Sequence, residues 1–186
     1  MADAKKKSGG MGRALKLLAI GALLLVAGVT GIGLAMPGEY HFRRSVVIDA
    51  DRERVHQLVG DLKQWDQWTP FKEQDPSMKV TIGDKSTGAG ASQSWTGDTG
   101  SGSLKFTRCD PESGVAYELS FEGSDTSTGG YDYKELPDDK TEVTWHWDYE
   151  VGYNPVERIV MGYFEKDIEA MFDKGLSNLK AKAEAK

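Results

Sequence analysis

Cysteine is almost absent from this 186-residue chain: Cys109 stands alone. One thiol can form neither an intramolecular disulfide nor a cysteine-based zinc cluster. Cys109 ends the strand-like run Leu104–Cys109, just before Asp110-Pro111, where a half-buried filler is the plain reading. Histidine is scarce as well, and His41, His56 and His146 are scattered, so no metal site and no cofactor is expected. The hydrolase and nucleotide signatures G-x-S-x-G, H-E-x-x-H and the P-loop are missing. Gly88-Ala89-Gly90 lacks the strand-to-helix context of a phosphate loop and reads as a hairpin. There are no internal repeats and no long low-complexity linker. Nor is there an excess of positive charge. The formal charge is −6, and the first 36 residues hold five cations (Lys5, Lys6, Lys7, Arg13, Lys16) against Asp3, so the remainder carries −10. A phosphate backbone would repel such a domain, which excludes nucleic acid as a partner.

What the chain does have is aromatic bulk: five Trp, seven Tyr and six Phe, enough to build one core or to wall an apolar cavity. Its 22 Gly fall mostly between short segments, as in a strand-rich domain with many turns.

Leu17 to Met36 is a run of twenty residues without charge. As a helix it would be about 30 Å long, the thickness of a bilayer's hydrocarbon core. The cations before it place the N-terminus in the cytoplasm and the following domain outside, by the positive-inside rule. The expected organisation is a basic cytoplasmic tail (1–16), a single transmembrane helix (17–36) and one extracytoplasmic domain (37–186) at the cell membrane. A cleaved signal peptide competes with the anchor, since Gly33-Leu34-Ala35 offers small residues to a peptidase, but such apolar cores usually run only about 7–15 residues. Ala27 and Gly31 form a small-xxx-small pair on this helix.

Beyond Pro37-Gly38, Tyr40 to Ile48 alternates as a strand, with Arg44 on its inward-reading face. Asp49-Ala50-Asp51 caps a short helix over Arg52–Val59, and Leu62–Trp68 continues as a second. Six strands follow. Their apolar faces are Met78/Val80/Ile82, Ala91/Gln93/Trp95, Leu104/Phe106 (with Arg108), Val115/Tyr117/Leu119/Phe121, Tyr131/Tyr133, and Val143/Trp145/Trp147/Tyr149. Pro137-Asp138-Asp139 marks a hairpin turn. The last strand sets aromatics on one face and Glu142, Thr144, His146, Asp148 and Glu150 on the other, the pattern of an antiparallel sheet with one wet side. A long helix closes the chain, with Asn154 as N-cap, Pro155 in the first turn and Glu157 three residues past the cap. Val156, Val160, Tyr163, Phe164, Ile168, Met171, Phe172 and Leu179 form its apolar stripe, and Arg158, Lys166, Glu169, Asp173 and Lys180 are assigned to water. The expected class is α+β: a curved, seven-stranded antiparallel sheet wrapped on one long helix.

Several motifs, in order, resemble the SRPBCC superfamily in its polyketide cyclase/dehydrase and lipid-transport branch. They are Arg44-Ser45-Val46-Val47-Ile48-Asp49-Ala50, Val55 and Asp61, Trp65-Asp66-Gln67-Trp68-Thr69-Pro70-Phe71, Asp75-Pro76-Ser77-Met78-Lys79, Gly88-Ala89-Gly90-Ala91-Ser92 with Trp95, and Phe172-Asp173-Lys174-Gly175-Leu176-Ser177-Asn178-Leu179-Lys180. The resemblance covers nearly all of 40–182 and implies a helix-grip domain, related in shape to START lipid-transfer domains and the birch pollen allergen. It further implies an apolar cavity between sheet and long helix, holding a lipid, quinone or polyketide-like molecule, and few enzymes among its members.

On that basis the candidate cavity residues are Trp95, Tyr117, Phe121, Trp145, Trp147, Tyr163, Asp167 and Met171. The aromatic stripe is equally consistent with plain core. Asp167 falls inside the margin of the helix's apolar stripe, where a carboxylate must be paired or wet. It would form an ion pair with Arg44 or Arg108, hold a ligand's polar end, or act as a general base. Trp65 reads as packing near the cavity entrance, and Trp68 as either packing or cavity. Three functions remain open: membrane-anchored binding of a hydrophobic small molecule; a cyclase/dehydratase-type enzyme using Asp167 or Tyr163; and an interaction or stress-response protein whose cavity has collapsed.

Overall fold

Alternating apolar residues bounded by Gly, Asp and Pro turns form seven strands, and each strand pairs antiparallel with its neighbours. The structure, a computed structural model, describes residues 9–185. The elements run α1 (Gly9–Ala35), β1 (Glu39–Ile48), α2 (Arg52–Val59), a 3-10 turn (Leu62–Gln67), α3 (Phe71–Gln74), β2 (Lys79–Ile82), β3 (Ser92–Gly97), β4 (Gly100–Asp110), β5 (Gly114–Phe121), β6 (Ser127–Leu136), β7 (Lys140–Glu150) and α4 (Pro155–Glu184). The sheet order is β1-β7-β6-β5-β4-β3-β2, so the first strand closes against the last and β2 forms the far edge.

The chain divides into two compact units. One is Glu39–Glu150 with Phe164 onward; the other is the chain up to Gly38 with Val151–Tyr163.

In the larger unit the curved sheet grips the C-terminal part of α4, the α+β helix-grip architecture expected. Trp145 on β7 stacks flat on Phe172 of α4, with ring centres 4.1 Å apart and planes 3° from parallel. Gly175 permits this approach: a Cβ there would come within 2.7 Å of the Trp145 ring. Val115, Val143, Tyr131, Phe106 and Leu179 fill the core, nearly inaccessible to solvent. Caps work as their residue types dictate. Asp51 Oδ1 accepts from the Arg54 amide at 2.7 Å, and Asp61 from that of Lys63 at 3.0 Å. In the β6–β7 hairpin Asp138 and Asp139 both take positive φ (63° and 54°), a conformation Asp tolerates better than most residues.

One side-chain direction differs from the alternation, and one ion pair differs from the expected one. A bulge between Phe106 and Arg108 shifts the register of β4 against β5, and Arg108 turns to the exposed face, where its guanidinium meets Asp132 at 3.1 Å. Arg44 stays half-buried and is met by Glu169 at 2.7 Å and Asp173 at 3.5 Å, two carboxylates one helical turn apart. Neither arginine pairs with Asp167, and both carboxylates assigned to water are ion-paired.

In the smaller unit, α1 begins at Gly9 rather than Leu17. Arg13 and Lys16 are good helix formers and do not interrupt it. Lys5, Lys6 and Lys7 of the basic tail lie outside the described residues. Gly12–Ala35 is long and apolar enough to cross a membrane by length and composition, and its large side chains, Leu18 and Leu23 among them, are exposed. Arg158 does not face water. It donates to the carbonyls of Leu34 (3.4 Å) and Met36 (3.1 Å), acceptors at the C-terminal end of α1, and to that of Gly152 ahead of α4. Asn154 caps α4 as expected, accepting from the amides of Val156 and Glu157.

A substitution at the contact between Trp145 and α4 tests what holds the grip. Gly175→Ala raises helix propensity by up to about 1 kcal/mol, but the overpacking against Trp145 costs about 1–3 kcal/mol. Thermal unfolding followed by circular dichroism is expected to show a lower Tm.

Candidate ligand-binding cavity

The inward faces of β2–β5 and β7, the 3-10 turn, α3 and the Met171–Phe172 turn of α4 do not close completely. They leave a cavity of about 280 Å³. Aromatic rings form most of its wall: Trp65, Phe71, Trp95, Tyr117, Phe121, Trp145, Trp147 and Phe172. Leu104, Leu119, Val80, Met78 and Met171 complete the apolar surface. Gln74, Thr99, Gly100 and Phe121 are its exposed members and mark the side open to solvent.

The rings are held in place by their polar atoms and by each other. Trp65 Nε1 donates to the Val59 carbonyl at 2.8 Å, and Trp147 Nε1 to Ser127 Oγ at 2.8 Å. Trp145 Nε1 donates to Tyr117 Oη at 3.0 Å. Gly129 lets the Tyr117 ring lie against β6, since a Cβ there would come 2.7 Å from it. Burial pushes the Tyr117 phenol well above its ordinary range, partly offset by the Trp145 hydrogen bond, so it stays protonated. Behind this wall Tyr131 is fully buried, and its hydroxyl has no hydrogen-bond partner among the described residues.

One charge belongs to the lining, Asp75, 4% exposed. Its Oδ1 accepts from the Ser77 hydroxyl (2.5 Å) and amide (2.9 Å), and its Oδ2 from the Thr99 hydroxyl (2.8 Å) and amide (3.0 Å). The Ser77 hydroxyl, then the Thr99 amide and hydroxyl, hold its carboxyl far below the usual range. The carboxylate thus staples the loop before β2 to the β3–β4 turn at the cavity mouth. Gln93 on β3 also lines the cavity, 8% exposed, and no described residue hydrogen-bonds its side-chain amide.

Of the eight candidates, Trp95, Tyr117, Phe121, Trp145, Trp147 and Met171 come together around this space. Asp167 and Tyr163 do not. Asp167 is exposed, and Tyr163 is 78% exposed. The apolar stripe of α4 is in fact two stripes. At about 100° per residue, Val156, Val160, Tyr163 and Phe164 cluster on one side of the helix, and all four are exposed. The buried Met161, Phe172, Leu176 and Leu179 lie about 130° around it. Asp167 shares a side with the exposed group, which is why the pattern drew it inward. Trp65 is both packing and cavity wall. Trp68, 1% exposed with its indole N–H on the Leu58 carbonyl, is packing alone. Cys109 is a half-buried filler 3.6 Å from His56 Nε2, its thiol pushed up by burial. Gln93, Asp75, Thr99 and Phe71 were not singled out for the site. The alternation of β3 sets Gln93 on the Trp95 face, and that was the available signal.

The sequence profile of the polyketide cyclase / dehydrase and lipid transport family matches residues 39–184. The chain belongs to this family. Comparison with curated proteins gives no match. Among solved structures, the Zhui aromatase/cyclase from Streptomyces sp. R1128 is 16% identical with a TM-score of 0.57, covering 78% of this chain and 94% of that one. A hypothetical protein from Helicobacter pylori has 10% identity and a TM-score of 0.61, over 77% and 88% of the two chains. A protein from Mycobacterium smegmatis has 20% identity and a TM-score of 0.53, over 78% and 91%. At these identities the likeness is one of fold, and the family's fold is one built around a hydrophobic ligand site.

Two substitutions separate the polar devices of the wall. Tyr131→Phe removes an unpaired buried hydroxyl and is expected to leave Tm unchanged or higher. Asp75 has a folded pKa below its unfolded value, so its contribution is fully present above the unfolded pKa of about 3.9 and fades as pH falls through and below it. Asp110 and Glu184, lowered by hydrogen bonds to Ser113 and Asp49 respectively, add to the same acid slope. Asp75→Asn is therefore expected to lower Tm at pH 7 and to flatten, without abolishing, the loss of stability below about pH 5.

Proposed function

We propose that this protein binds a hydrophobic small molecule in the cavity between the sheet and α4, and that α1 keeps it at a membrane. The observation that carries the reading is the open, aromatic-walled space of about 280 Å³. A protein whose interior had collapsed would have spent those rings on filling it. Burial against eight aromatic side chains supplies affinity, and a small number of polar groups supplies orientation. The titratable groups of the lining favour binding over acid–base catalysis. Asp75 is consumed by four hydrogen bonds, and the Tyr117 phenol is pushed away from neutral pH. For the membrane, support comes from α1. Leu15, Leu17, Leu18, Ile20, Leu23, Leu24 and Leu25 are all exposed, a surface that water does not favour and hydrocarbon does. The reading puts the N-terminus in the cytoplasm and the domain outside, supported by the cations before the helix.

The test is the full chain extracted from its own host and examined by native mass spectrometry, with organic extraction of whatever dissociates. The expected outcome is a discrete bound mass on a chain whose N-terminus is intact and which fractionates with membranes. Met171→Trp, which places a large ring at the half-buried edge of the cavity, is expected to remove the bound mass with little change in Tm. A bound mass that survives Met171→Trp places the ligand elsewhere, and an empty chain after incubation with total lipid extract ends the binding reading.

A further inference from the structure

We infer that the ligand is an uncharged, two-ring-sized molecule bearing a carbonyl oxygen, and that Gln93 and Tyr117 are the side chains that read that oxygen. The inference rests on the binding reading above and narrows it from any apolar molecule to one chemical class.

Size is the first constraint. A dry apolar cavity of about 150 Å³ takes one benzene, so a cavity of about 280 Å³ takes a molecule of roughly two fused rings. A lipid with two acyl chains would leave most of its apolar surface outside the opening, in water.

Charge is the second. Of the residues lining the cavity none is Lys or Arg, and Asp75 is an acid. All of its hydrogen-bonding is directed to Ser77 and Thr99, which keeps it anionic. An anionic ligand, such as a fatty acid or a phosphate ester, would lose its hydration, meet no counterion and face a fixed negative charge.

Polarity is the third. The Tyr117 oxygen already accepts from Trp145 Nε1, and its own O–H has no acceptor among the described residues. Gln93 is 8% exposed as a residue, lines the cavity, and its side-chain amide is hydrogen-bonded by no described side chain or backbone group. The register puts both on one face of the sheet. Gln93 pairs with Leu104, Leu104 with Leu119, and Tyr117 lies two residues before Leu119 on the same strand. Between them Leu104 and Leu119 form an apolar floor. Two donors held over such a floor are matched by a flat apolar body with an accepting oxygen. A plain hydrocarbon would leave both donors unpaired, and sites of that design discriminate strongly against it.

Tetralone, tetralin (the same two rings without the carbonyl) and tetralin carboxylate are the probes, titrated by calorimetry into the full chain in nanodiscs, with empty nanodiscs subtracted. Tetralone is expected to bind, and the carboxylate to bind at least about tenfold more weakly. In Gln93→Met, close in volume, tetralone affinity is expected to fall about three- to tenfold while tetralin affinity is unchanged or improved. Tyr117→Phe is expected to act in the same direction, with unfolding measured alongside because it also strips Trp145 of its acceptor. Equal loss of tetralone and tetralin in Gln93→Met, or none of either, overturns the reading role of Gln93 and leaves the cavity a binding site. Carboxylate binding as tight as that of tetralone overturns the charge argument. Failure of both neutral probes to bind a chain that still carries a bound mass from its host overturns this inference alone; the binding function falls only if the chain is also empty after incubation with total lipid extract.

Discussion

The parallel stack of Trp145 on Phe172 is the contact from which the larger unit is organised. A strand and a helix can slide past one another when their contact is a field of small aliphatic groups. Two large flat rings in register, with a glycine one turn along the helix to admit the indole edge, have essentially one arrangement. Once that arrangement is set, the position of the helix beside β1 is set too. Arg44 then meets Glu169 and Asp173 rather than any other acid on the helix. The same indole turns its N–H to Tyr117 and its face toward Tyr131, so the helix contact and the cavity wall are made by one side chain.

The cavity exists because the wall is built of rings that are braced elsewhere. Trp65 is tied to the Val59 carbonyl and Trp147 to Ser127, and neither is free to swing into the space. At the open side the chain changes direction twice, before β2 and between β3 and β4. Such turns would ordinarily be the mobile part of a cavity mouth. Here one carboxylate collects two amides and two hydroxyls from both turns, and Gly97 leaves it room: a Cβ at that position would lie 2.3 Å from Asp75 Oδ2. The mouth is thus ordered by a negative charge held between its two turns.

Much of this was legible in the residues. Period-two alternation located all seven strands, and the Val143–Tyr149 run correctly separated a dry face from a wet one, because that pattern follows from the pleat alone. The Asn154/Pro155/Glu157 start of α4 was legible for the same reason: it depends on backbone groups within four residues. What failed depended on information that is not local. A bulge costs one residue of register and gives no signal in composition, so Arg108 was drawn to the wrong face. The apolar residues of α4 are continuous in sequence but serve two directions, and summing them into one stripe pulled Asp167 inward. Gln93 sat in plain alternation with Trp95, yet its importance comes from lacking a partner, which only the assembled structure reveals.

Four of the five tryptophans, Trp65, Trp95, Trp145 and Trp147, line the cavity, and the fifth, Trp68, packs against Trp65. The protein's ultraviolet emission therefore originates almost wholly from the walls of one small space. Filling or emptying that space changes the polarity around most of the fluorophores at once. The occupancy put forward for the cavity is consequently open to an optical test on the chain's own indoles, without attaching any label.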